Sequence, residues 1–149
     1  MTTRFKNAVD SLVSDFFKDE LTKGSCSKCA LGRIVAHSFN QNNITDVPVD
    51  FWKEAFVTSE RIQTVNIKYF DHEFLLKTVE STQYSIEEMM RIEYAFESNT
   101  QISWDLMANK SSNEILKDRY NGLMAVVEIL CEIDGIENAT DFKQMFSLQ

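Results

Sequence analysis

One proline and four glycines in 149 residues constrain this chain more than any motif in it. Strand-rich folds turn often, and tight turns draw on Pro and Gly for their fixed or positive φ. A chain this poor in both is predicted to be all-α. The apolar spacing agrees. Phe5, Val9, Leu12, Val13, Phe16, Phe17 and Leu21 recur at helical intervals, with Gly24 as the expected stop and Lys18 and Lys23 near the negative end. A second helix is expected from about Ser27 to Phe39, on Ala30, Leu31, Ile34 and Val35. Gly32 inside it points to a close backbone contact, because it weakens the helix by about 1 kcal/mol against Ala. Asn40-Gln41-Asn42-Asn43 is a polar break, and Pro48 suits the first turn of a short helix with Phe51, Trp52 and Phe56.

Residues 60–80 fit two templates. Val65, Ile67 and Tyr69 alternate as a strand would, while Ile62, Val65 and Tyr69 match a helix. A lone strand has no partner, so helix is the expectation. Ser85-Ile86-Glu87-Glu88 reads as a capping box, with Tyr84 and Met89 placed for a hydrophobic staple. That helix runs through Phe96 on Ile86, Met89 and Met90. A final long helix is expected from Ser112 or Asn113 to Asp134, burying Leu116, Leu123, Met124, Val127, Leu130 and Cys131, and Gly135 ends it. A short amphipathic tail follows with Phe142, Met145 and Phe146. The length suits one domain, residues 1–149, of about five to seven helices. No apolar run approaches the ~18 residues that cross a bilayer. The first residues lack the apolar stretch of a signal peptide, so a cytoplasmic location with reduced thiols is expected.

The net charge of −8 is uneven. Residues 1–80 carry ten Lys/Arg against eleven Asp/Glu, and residues 81–149 carry five against twelve. An acidic surface repels nucleic acid and anionic membranes and favours encounter with basic proteins. Basic residues form no stripe, so direct nucleic-acid binding is not expected. Solubility alone also accounts for such a charge.

Cys26-Ser27-Lys28-Cys29 offers the clearest chemical constellation. Thiols at i and i+3 share a helix face, and a first turn stabilises the thiolate. A redox dithiol would normally follow a strand in a βαβ unit, and none is visible. A zinc site needs four ligands. Cys26, Cys29 and Cys131 supply three; His72, Glu128 and Asp134 are candidates for the fourth. His37 lies eight residues beyond Cys29, about 12 Å along one continuous helix, too far for a shared ion unless the helix breaks at Gly32. Packing, metal and redox roles therefore stay open for these thiols.

The carboxylates are less telling. Glu93 and Glu97, and Glu128 and Glu132, are i,i+4 pairs, but no His follows a Glu by three as a di-iron bundle requires. Glu93 is expected at the core edge or beside an arginine. Asp71-His72-Glu73 holds a possible base with no nucleophile beside it. No phosphate loop, dinucleotide fingerprint, metalloprotease motif or nucleophile elbow occurs.

Cys26-x-x-Cys29-Ala30-x-Gly32, Tyr84-Ser85-x-Glu87-Glu88 with Ile92-Glu93 and Phe96, and the run from Gly122 to Ile136 are similar to a group of small bacterial and phage proteins without an assigned activity. Some of that group bear the name of a sodium-translocating NADH–quinone reductase subunit. This sequence contains neither a dinucleotide loop nor the Cys spacing of a plant-type cluster. The resemblance implies an architecture and a link to mobile elements, not a mechanism. The expected function is a non-enzymatic acidic interaction protein, carried by a mobile element and inhibiting a basic host protein such as an RNA-guided nuclease of the CRISPR type. Its contact surface would be Glu87, Glu88, Glu97, Glu128, Glu132 and Glu137, with no cofactor. The alternatives are a zinc or redox protein built on Cys26, Cys29 and Cys131, and an acidic homodimer.

Overall fold

A computed structural model describes residues 2–23, 29–44 and 72–136. Among them are five α-helices and one 3₁₀ segment, and no strand. The helices are α1 (Thr3–Phe17), α2 (Ala30–Gln41), α3 (His72–Thr82), α4 (Ile86–Ser98) and α5 (Ser112–Ile133), with the 3₁₀ segment at Trp104–Asn109. The fold is all-α, as the scarcity of turn residues predicts. The expected helix at Pro48, the first part of the 60–80 helix and the apolar tail lie outside the described residues. No helix among the described residues is long and apolar enough to cross a membrane.

Four of the five helices begin on a side-chain cap among the described residues. Thr2 accepts the Phe5 N–H, Cys29 accepts the Gly32 N–H, Ser85 accepts the Glu88 N–H and Ser111 accepts the Glu114 N–H in α1, α2, α4 and α5 respectively. These bonds satisfy donors that a helix start leaves orphaned. The predicted capping box is complete: the Glu88 carboxylate also accepts the Ser85 N–H at 2.9 Å. Tyr84 and Met89, the expected staple, are both buried.

Four expectations need correcting. Helix α1 ends at Phe17 and not at Gly24, because the chain turns at Asp19 with φ 62° and the Glu20 N–H returns to the Asp15 carbonyl. Leu21 is still buried, but from the segment after the helix. Helix α2 begins three residues later than expected, since Cys29 is its cap and not part of its first turn. Phe17, at the last residue of α1, is 65% exposed, with its ring edge-on to Phe16. Leu116 is 42% exposed and not buried. Helix α4 has already ended where α5 starts, so nothing on α4 is left to cover it.

One core gathers Phe5, Leu12 and Phe16 of α1, Leu31 and Val35 of α2, Tyr84, then Ile92 and Phe96 of α4, and Leu123, Val126 and Leu130 of α5. Helices α4 and α5 pack antiparallel. Arg91 reaches Glu132, Phe96 lies beside Gly122, and Asp118 meets the backbone of Gln101 and Ile102. Gly122 sets how close the two come. A Cβ there would stand 3.0 Å from the Phe96 ring and would clash with the Thr100 methyl. Gly135 follows α5 with φ 67°, a conformation that costs glycine little.

Candidate functional site

The carboxylates of this fold fall into two populations. The first is used inside the molecule. Asp15 is buried on α1, and its Oδ2 accepts from Arg33 Nε at 2.7 Å and lies 2.8 Å from His37 Nε2. Arg33 and His37 are i,i+4 on α2, so a single carboxylate clasps two helices. Asp134 accepts from Arg4 Nε at 2.8 Å, and the Arg4 guanidinium lies 4.6 Å from the centre of the Tyr84 ring. Asp118 accepts the Gln101 and Ile102 N–H groups at 2.7 and 2.9 Å, closing the chain after α4. Lys23 works in the opposite sense: its ammonium donates to the Glu97 and Thr100 carbonyls, at the negative end of α4. The sequence placed Lys23 at a helix C-terminus, but the helix it serves is α4.

Two of the acidic residues expected on the contact surface belong to this inner population. Glu88 is shared between the capping box and Arg4, 3.3 Å away. Glu97 is 6% exposed. Its neighbour one turn back, Glu93, is 4% exposed, and its carboxyl is pushed up to about 8, first by burial and then by the Glu97 charge. Glu93 therefore lies inside rather than at the core edge, and Arg91 pairs with Glu132 and not with it.

The second population faces out along the α4–α5 seam. Glu87, Glu128 and Glu132 are exposed. Arg91 stands between the helices, 3.0 Å from Glu132. Two separate hollows lie on this side. One is formed by Glu87, Met90, Arg91 and Tyr94 on α4, and the half-exposed Tyr94 gives it an apolar floor. One helical turn on, Ser98 borders the other, of about 530 Å³, with Asn99, Gln101, Asp118, Asn121, Met124 and Glu128. The Ser98 hydroxyl donates back to the Tyr94 carbonyl, which fixes the step between them. Exposed charges around an apolar floor can recognise a complementary surface without any chemical step. Glu137 lies outside the described residues.

The thiol constellation is described only in part. Cys29 and Cys131 are buried, and Cys26 lies outside the described residues. Cys29 caps α2 through its Sγ, 3.3 Å from the Gly32 nitrogen. Burial, then the Asp134 and Glu128 charges, push the Cys131 thiol up, which disfavours the thiolate that metal binding or exchange requires. Among the described residues no three His, Cys, Asp or Glu side chains converge as metal ligands would. The side chains of Asp71, His72 and Glu73 also fall outside the described set.

Sequence reasoning missed Met90 and Tyr94 as a surface pair and Asp15 and Asp118 as buried anchors. The first had a signal: Glu87, Met90, Arg91 and Tyr94 fall on one side of a helix whose other side holds Met89, Ile92 and Phe96. The anchors bond to partners 16 to 22 residues away, and nothing local marks them. Comparison with models of protein families, with curated proteins and with solved structures finds no match to this chain.

Proposed function

We propose that this chain is a non-enzymatic acidic interaction protein that docks on a basic protein through the outer face of α4 and α5. The observation that carries this is the division of the carboxylates. Asp15, Asp118 and Asp134 are held by cations or backbone N–H groups inside the fold, while Glu87, Glu128 and Glu132 are exposed on the outer side of α4 and α5, Glu132 beside Arg91. Exposed ion pairs are weak, so surface carboxylates can exchange their present partners for an opposite surface when it arrives. The contact set is narrower than the sequence implied, because Glu88 and Glu97 serve the fold. The resemblance to small bacterial and phage proteins makes a host nuclease ribonucleoprotein the first partner to test.

The test compares the tagged wild-type chain with a variant carrying Glu87→Gln, Glu128→Lys and Glu132→Lys. Both are used to capture proteins from host lysate, with and without ribonuclease. A basic protein held by the wild type, released by salt, insensitive to ribonuclease and lost from the variant is the expected result. Capture that survives all three substitutions contradicts the proposal.

A further inference from the structure

Away from the α4–α5 face, a hollow of about 90 Å³ opens where α1, α2 and the end of α3 meet. Asn7 and Ser11 line it from α1, one helical turn apart, and Ser38 and Gln41 line it from α2. Ser11 and Ser38 are only 7% and 8% exposed. Each hydroxyl donates within its own helix, Ser11 to the Asn7 carbonyl at 2.7 Å and Ser38 to the Val35 carbonyl at 2.8 Å. A carbonyl holds no proton, so both hydroxyls are spent as donors and can only accept from a molecule that enters. Asn7 and Gln41 add carboxamides, which both donate and accept. Ala8 and Ile34 supply an apolar part of the wall.

The charge of the hollow is already answered by the fold. Among the described lining residues Arg4 is the one charged side chain. Its Nε and Nη2 lie 2.8 and 2.6 Å from Asp134 Oδ1, and its Nη1 lies 2.7 Å from the Gln83 carbonyl and 3.3 Å from Glu88. An anion would have to draw Arg4 from two carboxylates. A cation would meet Arg4 and, among the described lining residues, no carboxylate. An apolar molecule would bury the serine oxygens and the carboxamides without partners, which costs more than the contact returns.

We infer that this hollow binds a small neutral polyol, its hydroxyls donating to Ser11 and Ser38 and bonding the Asn7 and Gln41 carboxamides, its carbons against Ala8 and Ile34. The volume admits roughly three water-sized groups, which fits a ligand with about three hydroxyls. This site is independent of the docking reading above.

Titration of the full chain with glycerol, followed by ¹H–¹⁵N nuclear magnetic resonance, tests the assignment. Propan-1-ol, propionate and propylammonium, of similar size, are titrated beside it. Glycerol is expected to give saturable shifts at the Asn7 and Gln41 side-chain amides and at the Ser11 and Ser38 N–H groups, and to bind more tightly than the other three. Ser38→Ala and Ser11→Ala should each weaken glycerol roughly fivefold, the effect of one hydrogen bond, with the far-ultraviolet circular dichroism unchanged. Asn7→Ala, at an exposed position, should weaken it by a similar factor and serves if a buried substitution unfolds the chain. Shifts that rise linearly with glycerol and never saturate overturn the site. Saturable binding that is the same in Ser38→Ala and Asn7→Ala overturns its placement here. Tighter binding of propionate or propylammonium overturns the neutral ligand, and equal binding of propan-1-ol overturns the polyol.

Discussion

Asp15 and Glu128 carry the same charge on helices of the same core, yet their environments are opposite. Asp15 is buried and clasps Arg33 and His37 of the neighbouring helix. Glu128 lies on the exposed side of α5 and borders the hollow at Ser98. The α1–α2 clasp spends its charge on holding two helices together. The outer α4–α5 face keeps its charge in water. Burial decides which carboxylates belong to stability and which stay at the surface; sequence position does not. A net charge of −8 is thus a poor measure of binding surface, because part of it never meets solvent.

Substitutions on the two sides should separate cleanly, and the inner side should show the larger effects. Gly122→Ala is expected to cost the most, roughly 3 kcal/mol, because a methyl cannot fit beside the Phe96 ring and Thr100 without moving α4 from α5. Urea denaturation measures this directly. An unchanged midpoint would mean that the seam is looser than its geometry implies. Asp15→Ala follows at about 2 kcal/mol, since it leaves Arg33 and His37 without their shared carboxylate. Asp15→Asn should restore only part of the loss.

Glu93 gives the comparison a pH axis. Its folded carboxyl titrates at about 8 against 4.5 when unfolded. Between those values the folded state keeps a proton that the unfolded chain has released. Its contribution to stability is therefore fully present below about 4.5 and is lost as pH rises toward 8. Glu93→Gln should flatten that slope and stabilise the protein at pH 8 by on the order of 2 kcal/mol. Thermal denaturation across that range checks it, and a slope unchanged in the variant would show that another group sets it. The smallest effect belongs to the outer face. Glu132→Ala breaks an exposed ion pair with Arg91 and should change stability by less than about 0.5 kcal/mol.

What the sequence made legible was whatever a few adjacent residues decide. The capping box at Ser85 and Glu88 needs only four positions, and it forms as read. The end of α5 at Asp134 and Gly135 is equally local. The start of α2 was misplaced because a thiol does the work usually given to a hydroxyl or carboxylate, and periodicity alone carried the helix back to Ser27. Leu116 has the spacing of a core residue, but burial also needs a neighbour, and α4 has ended before it can provide one. The proposed contact face was half legible. Glu87, Glu128 and Glu132 stood out by charge. Glu88 and Glu97 were indistinguishable from them until Arg4, the cap and the core claimed their places. Met90 has the spacing of the apolar stripe yet is only part-buried, and Tyr94 is half-exposed on that side of the helix.

The most direct test joins the two halves of the comparison in one variant. Glu87→Gln, Glu128→Lys and Glu132→Lys are combined, and the denaturation midpoint is measured beside the capture of basic protein from host lysate. The expected result is a midpoint close to that of the wild type with capture abolished. Capture retained at a normal midpoint would contradict the assignment of this face to partner binding.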